Sequence, residues 1–355
     1  MLFSSSTVQK FSARIWMIGV ISLSFTFASV MQANATPTVG SVIANSIPVN
    51  NNGTGVRGSI EFTNALRLVE AKEYTRAYNM ARGFSDPVER RAVQWAAIYY
   101  GGGEIDAQSV SRFSADAPQY ATTRTYKARM ELALVENAAP YNEVISLLGG
   151  EMPRTINGQI ALAQAYVREG QAERGLRIAR QIWTNNFLQR EQEDELRASF
   201  GRSFTRDDYW KRSINLLMND RAKGAERIIS FLSAAQKSLV VARIAVARKT
   251  SNAQRLLDRV DPAYRDHPLF YFSQGQLARR AGRLTSAVET LNKASAPLPN
   301  SSLWWNERRL LARKLVAAGR YQSAYNAAAA YNEGPEGRVV DANFHAGWIA
   351  LTFLN

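Results

Sequence analysis

The sequence predicts an all-α protein, since apolar residues recur with the period of a helix and no comparable run alternates with the period of a strand. One helical face, at positions i, i+4, i+7 and i+8, is formed by Trp210, Ile214, Leu217 and Met218. A second, at i, i+3, i+4 and i+7, is formed by Ala253, Leu256, Leu257 and Val260. Prolines stand between such segments, where helices are interrupted.

The starts and ends of several helices can be located from their capping residues. Asp86 precedes a proline and, three positions on, Glu89, which predicts an N-cap with a capping-box glutamate. Thr205 and Asp208 form a second such box. The stretch GGGE at 101–104 follows a helical segment, so it is predicted to end a helix and not to hold a phosphate.

A weak repeat predicts how the helices are arranged. In four places a turn residue is followed five positions later by a small residue: Ala77 after Lys72, Gly175 after Gly170, Ala287 after Gly282 and Ala324 after Gly319. Each is interpreted as a tight turn and a helix whose early small residue lets the previous helix approach closely. This is the logic of tetratricopeptide-like helical hairpins. The predicted fold is a right-handed superhelix, or α-solenoid, of short degenerate hairpins over residues 59–355.

The first 35 residues are predicted to be a secretory signal peptide that is cleaved after Ala35. Lys10 and Arg14 precede the apolar run IWMIGVISLSFTFASV, and small residues occupy the −3 and −1 positions of the cleavage site. An uncleaved N-terminal anchor is the alternative. Residues 36–58, rich in Asn, Gly, Pro and Ser, are predicted to be a flexible leader. The mature chain is therefore expected in the periplasm, without a stable membrane span.

The chain is strongly basic and contains no cysteine, with a formal net charge of +14. Basic chains often bind nucleic acid, but export makes nucleic acid an unsuitable partner. The polyanions outside a bacterial inner membrane are carboxylate-bearing peptidoglycan and lipid phosphates. The alternative is that the high isoelectric point affects only solubility. The absence of cysteine rules out disulfides, so an oxidising compartment costs the chain nothing.

Few residues are available for catalysis or metal binding. The two histidines, His267 and His345, have no second ligand at i+3 or i+4, so neither a metal site nor a cofactor is predicted. His267 is interpreted as a surface turn residue and His345 as a helix-packing residue. The acidic run at 191–195 is interpreted as a solvated helix face near a helix N-terminus. A catalytic carboxylate pair at Asp207 and Asp208 is disfavoured, because neighbouring residues point in different directions on a helix.

The strongest basic cluster lies in the stretch WWNERRLLARK. It offers a candidate surface for glycan or polyanion binding, in which aromatic rings would contact sugar faces and guanidinium groups would contact carboxylates. Its residues are Arg308, Arg309, Arg313, Lys314, Trp304 and Trp305. The competing interpretation places both tryptophans in the core and the arginines in solvent.

The order of features from about residue 59 to 355 resembles the N-terminal superhelical domain of the soluble lytic murein transglycosylases. The stretches that carry the resemblance are APYNEVISLLGGEMPRTINGQIALAQAYVREGQAERGLRIARQIWTNNF, FTRDDYWKRSINLLMNDR, LWWNERRLLARKLVAAGRYQSAYNAAAAYN and AGWIALTFLN. The resemblance implies a periplasmic protein of cell-wall turnover. In that family a linker and a lysozyme-like catalytic domain follow the superhelix and cleave glycosidic bonds in peptidoglycan.

The sequence departs from the family at its active site. It contains no Glu-Ser dipeptide and no Gly-Leu-Met-Gln motif, and AYNA at Ala324–Ala327 only imitates a third motif. No catalytic residue is therefore predicted. The chain is expected to stop where the linker and catalytic domain would begin. Trp348, Leu351 and Phe353 or Leu354 would then form an apolar face on the last helix that the following domain helps to cover in the family.

Three functional hypotheses follow. The first is a scaffold associated with peptidoglycan that lacks its own active site and binds the wall, or a catalytic domain or other periplasmic protein through its C-terminal helix. The second is a periplasmic protein-interaction module of tetratricopeptide type. The third, a self-sufficient lytic transglycosylase, lacks the acid/base residue that it would need.

Overall fold

The structure is a computed structural model that describes residues 58–354, and in this part of the chain it contains helices and no strands. The predicted signal peptide, and all but the last residue of the predicted leader, lie outside the described residues. The first nine helices are α1 (Ile60–Glu70), α2 (Tyr74–Ala81), α3 (Pro87–Tyr100), α4 (Ala107–Asp116), α5 (Pro118–Ala121), α6 (Arg124–Glu136), α7 (Tyr141–Leu148), α8 (Ile156–Arg168) and α9 (Ala172–Asn185). The prediction of an all-α protein is confirmed.

The second half of the described chain continues in the same way. Its helices are α10 (Arg190–Phe200), α11 (Arg206–Met218), α12 (Ala222–Ile228), α13 (Ala234–Arg248), α14 (Ala253–Asp258), α15 (Pro268–Arg280), α16 (Leu284–Asn292), α17 (Ser301–Ala317), α18 (Tyr321–Ala329) and α19 (Glu336–Ile349). Two short 3-10 turns and a closing π-helical turn over Ala350–Leu354 complete it. The main packing contacts join helices that are one or two positions apart in the chain.

One turn geometry recurs between successive helices. A residue with positive φ is followed by a residue whose N–H donates to the carbonyl oxygen five positions earlier, which is the Schellman ending of a helix. In the described chain the left-handed residue of this turn is Lys72, Ala138, Gly170, Asp220, Lys249, Gly282 or Gly319. Each turn leads directly into the next helix, so it joins two consecutive helices through a short connection.

The small residues that follow these turns lie in the helix–helix contacts. Ala77, Ala287 and Ala324 are fully buried. A β-carbon on Gly175 would come within 2.4 Å of the carbonyl oxygen of Ala163, so α8 and α9 touch at their backbones. The predicted role of the small residue after the turn is confirmed at these positions.

Several helix ends are stabilised by side chains from other helices. The buried Glu131 of α6 accepts hydrogen bonds from the N–H groups of Arg154 and Thr155, at 2.8 and 2.7 Å, and so caps the start of α8. The fully buried Arg212 of α11 donates to the carbonyl oxygens of Trp183 and Asn186, at the end of α9. Backbone groups that a helix cannot satisfy at its own ends are thus paired in the interior.

Two sequence-based interpretations need correction. Glu89 does not complete a capping box; it accepts hydrogen bonds from the N–H and hydroxyl of Ser59 and so holds the start of α1. Glu193, interpreted as part of a solvated face, is buried and pairs with Arg227 at 2.5 Å. The acidic run does open a helix, but tertiary packing turns one of its members inward. The Thr205–Asp208 capping box is present as predicted.

Candidate functional site on the last three helices

Half of the predicted glycan-binding surface lies inside the protein. Trp304 and Trp305 are fully buried, and Arg308 is 2% exposed. Trp304 contacts the ring of Phe272 at a centroid distance of 5.0 Å, and Trp305 contacts Tyr331 at 5.5 Å. The prediction of an aromatic sugar-binding surface through these residues is therefore corrected, because they belong to the core.

Arg308 stabilises the interior. Its guanidinium donates to the carbonyl oxygen of Leu291 at 3.0 Å and to Oδ1 of Asn292 at 2.6 Å, at the end of α16. Burial lowers the pKa of Arg308 to about 10. The side chain therefore serves as a helix C-cap between α16, α17 and α18 and is not available to a ligand in solvent.

The remaining members of the cluster lie at the surface of α17. Arg313 and Lys314 are exposed, and Arg309, one turn before Arg313, is half exposed. The Arg309 guanidinium forms an ion pair with Asp341 of α19 at 3.3 Å. The cationic groups free of a structural role in this cluster are thus those of Arg313 and Lys314.

Asp341 joins α19 to α17. One of its carboxylate oxygens accepts a hydrogen bond of 2.7 Å from the buried indole N–H of Trp305, and the other lies 3.1 Å from Nδ1 of His345. The His345 ring also contacts Trp305 edge to face at 5.5 Å. His345 is therefore a helix-packing residue, as predicted.

The outer face of α19 is apolar and exposed. Val340 is 60% exposed, Phe344 67%, Trp348 44% and Leu351 85%. Val340, Phe344 and Trp348 stand at i, i+4 and i+8, along one side of α19, and Leu351 follows in the closing π-helical turn. We call these four residues the α19 stripe. Gly347 lies beside Trp348 on the same side, and a β-carbon on it would meet no atom within 4 Å.

Phe353 is less exposed than the stripe. The ring of Phe353 stacks on Tyr321 of α18 at 4.5 Å and meets Trp348 at 5.4 Å. The predicted exposed apolar face is therefore present at Trp348 and Leu351, whereas Phe353 is half-buried against α18. Exposed apolar patches of this kind on soluble proteins are typical of interaction surfaces.

The other sequence candidates have structural roles. His267 is the N-cap of α15, and its Nδ1 accepts from the N–H of Leu269 at 3.1 Å. Asp208 pairs with Arg180 and caps α11. Ala324 and Ala327, from the motif-like AYNA, are fully buried in α18. In residues 58–354 no group of three or more potential ligands could hold a metal ion.

No helix in the described part of the chain is both long enough and apolar enough to cross a membrane.

The sequence reasoning missed a cationic cavity elsewhere in the fold. It lies between the start of α10, the first turn of α12 and the end of α13, and its residues are spread over about 60 positions. No local pattern marks it, because folding alone brings these segments together.

Comparison with known proteins identifies no relative. The chain matches no family model, no curated protein and no solved structure.

Proposed function

We propose that this chain is a non-catalytic helical scaffold of the periplasm that associates with peptidoglycan, and that it resembles the superhelical part of a soluble lytic murein transglycosylase. The observation that carries the proposal is the recurrence of one turn between consecutive helices. A series of helical pairs, each packed on its neighbours, is the construction of scaffold and recognition proteins. Tetratricopeptide-like hairpins in a right-handed superhelix would give such a series.

The cationic surface of α17 supports an acidic ligand. Arg313 and Lys314 are exposed beside the half-exposed Arg309. Peptidoglycan presents carboxylates, which guanidinium groups bind with charge-assisted hydrogen bonds. Because the tryptophans are buried, this surface would recognise charge and not sugar rings. Binding should therefore weaken as the salt concentration rises.

Sedimentation with purified sacculi tests the proposal. Arg313→Glu with Lys314→Glu should weaken co-sedimentation about tenfold or more, since two attractive charges become repulsive. The pair Arg255→Glu with Arg259→Glu, also exposed, makes the same charge change on another part of the fold. Equal loss in both variants, or no sedimentation of the unaltered protein, would contradict binding at the α17 surface.

The α19 stripe favours a second function, which is association with a second copy of the chain. A two-fold axis between positions 347 and 348 would exchange Phe344 with Leu351 and place Trp348 of each copy against Gly347 of the other. Phe344, Trp348 and Leu351 would then meet the same patch of the other copy, as a two-fold interface requires. Only four large side chains form the exposed part of the stripe. A stable complex buries roughly 800 Å² and 20–30 residues on each partner, so a dimer through the stripe alone would be weak.

Analytical ultracentrifugation over a range of concentrations tests this second function. The unaltered protein should approach the mass of a dimer at high concentration, and Trp348→Glu should keep it monomeric. Val88 is a suitable control, because it is 72% exposed on a different helix. If Val88→Glu reduces association as strongly as Trp348→Glu, or if the unaltered protein is a monomer throughout, the α19 stripe is not a dimer surface.

A further inference from the structure

The cavity between α10, α12 and α13 has a volume of about 670 Å³, which suits a small ligand. Five cationic and two acidic side chains line it, and Asp194 and Glu226, beside the lining, form ion pairs with Arg190 and Arg248. The cationic residues are Arg190, Arg221, Lys223, Arg227 and Arg248. They come from four separate elements, so only the folded chain concentrates this charge.

Arg221 is positioned at the rim of the cavity by two contacts. Its guanidinium carbon lies 3.3 Å from the centre of the Phe187 ring, and its Nη1 donates to the carbonyl oxygen of Leu188 at 2.8 Å. A planar guanidinium stacked on a ring loses little further freedom when it binds an anion. Arg221 also follows the left-handed residue of a Schellman turn, which sets its backbone position.

Two further guanidinium groups are positioned by carboxylates. Arg227 donates to the buried Glu193 at 2.5 Å. Arg248 makes two hydrogen bonds to Glu226, at 2.6 and 2.8 Å. A guanidinium has five N–H donors, so each of these residues keeps donors beyond those that hold it in place. The acids thus orient the arginines and leave some of the guanidinium N–H donors available to a ligand.

We propose that this cavity binds a small polyanion that carries two or more carboxylate or phosphate groups. Oriented guanidinium groups recognise the paired oxygens of both kinds of group, and Lys223 supplies an additional ammonium charge. In the described part of the chain Arg190, Arg227 and Arg248 pair with acids, whereas Arg221 and Lys223 do not, so two cationic groups remain for a ligand with more than one anionic group. This site is separate from the α17 surface, so it does not depend on the association with peptidoglycan.

Isothermal titration calorimetry at low salt tests the proposal with citrate and tripolyphosphate as probes. We expect saturable binding of one molecule per chain, with tighter binding of citrate if the site prefers carboxylates and of tripolyphosphate if it prefers phosphates. Lys223→Gln should weaken binding of the preferred probe about tenfold, since one charge-assisted contact is lost. Lys223 is exposed, so this change should leave the fold intact.

The matched control is Lys293→Gln, which removes an exposed lysine outside the cavity. Arg221→Gln should weaken binding further, and circular dichroism would check that α12 and its turn remain folded. Absence of heat with both probes at millimolar concentration would overturn the proposal. Equal weakening by Lys223→Gln and Lys293→Gln would also overturn it, because that result indicates non-specific attraction to a basic protein.

Discussion

Gly175 of α9 lies directly against the backbone of Ala163 in α8. A β-carbon at position 175 would approach the Ala163 carbonyl oxygen to 2.4 Å and a methyl group of Val167 to 2.7 Å. Real β-carbons do not make such contacts, so the two helices are as close as this glycine allows. A helical glycine normally costs stability, and here the close packing offsets that cost.

Gly175→Ala should therefore destabilise the protein, although alanine is the better helix former. Forcing the helices apart should lower the free energy of unfolding by about 1–3 kcal/mol. Gly347→Ala is the matched control, because position 347 is also inside a helix but has open space around it. It should raise stability by about 0.5–1 kcal/mol. Urea denaturation of both variants measures the difference, and equal effects would show that α8 and α9 are not in backbone contact.

Asp341→Ala should loosen the attachment of α19 to α17. The change leaves the buried indole N–H of Trp305 without its acceptor, at a cost of about 1–3 kcal/mol. Asp341→Asn keeps an oxygen acceptor and should cost less. The control is Asp207→Ala, which removes an exposed ion pair with Lys211 and should cost under about 0.5 kcal/mol. Amide exchange in α19 should be faster in the Asp341→Ala variant than in the Asp207→Ala variant, which would show that the lost stability comes from the attachment of α19 to α17.

The stability of the protein should fall as pH drops through about 6.5, in part because of His267. Burial lowers the pKa of His267 below its ordinary value of 6.5, and its ring lies 5.3 Å from that of Trp210. The unfolded chain therefore takes up a proton at a higher pH than the folded chain does. Protonation then favours the unfolded state, and Nδ1 can no longer accept the hydrogen bond from Leu269.

His267→Asn should reduce this pH dependence, because asparagine caps a helix without titrating in this range. Thermal melts of the two proteins at several pH values between 5 and 8 measure the effect. The melting temperatures should be closest near pH 8 and diverge below about pH 6.5, with the variant losing less stability. Parallel curves for the two proteins would exclude His267 as the titrating group.

Arg308→Met should be strongly destabilising, whereas Arg313→Met should not. Removal of the buried guanidinium leaves the carbonyl oxygen of Leu291 and the side chain of Asn292 unpaired, at a cost of about 2–4 kcal/mol. Arg313 is exposed five positions later on the same helix, and its change should stay within about 0.5 kcal/mol. Similar midpoints of denaturation for both variants would show that Arg308 contributes no more than a surface residue.

Only some of the recurring turns can be predicted from the sequence. Glycine marks it at 170, 282 and 319, because glycine adopts positive φ without strain, and these turns could be predicted. The same turn at Ala138 and Lys249 uses residues that seldom adopt this conformation. No local signal identifies them, since the packing of the flanking helices stabilises the strained residue.

The sequence by itself determined the helical class, the capping box at Thr205, and the close-packed small residues. The first two depend on neighbours within one or two turns of helix, and the small residues are recognisable because each follows a turn residue by five positions. Only the tertiary structure decided which charged and aromatic residues are buried. Arg308 and Glu193 were predicted to lie at the surface, because the partners that hold them in the interior are 16 or more positions away in the sequence. The cationic cavity could not be predicted from the sequence for the same reason, since its lining residues become neighbours only when α10, α12 and α13 pack together.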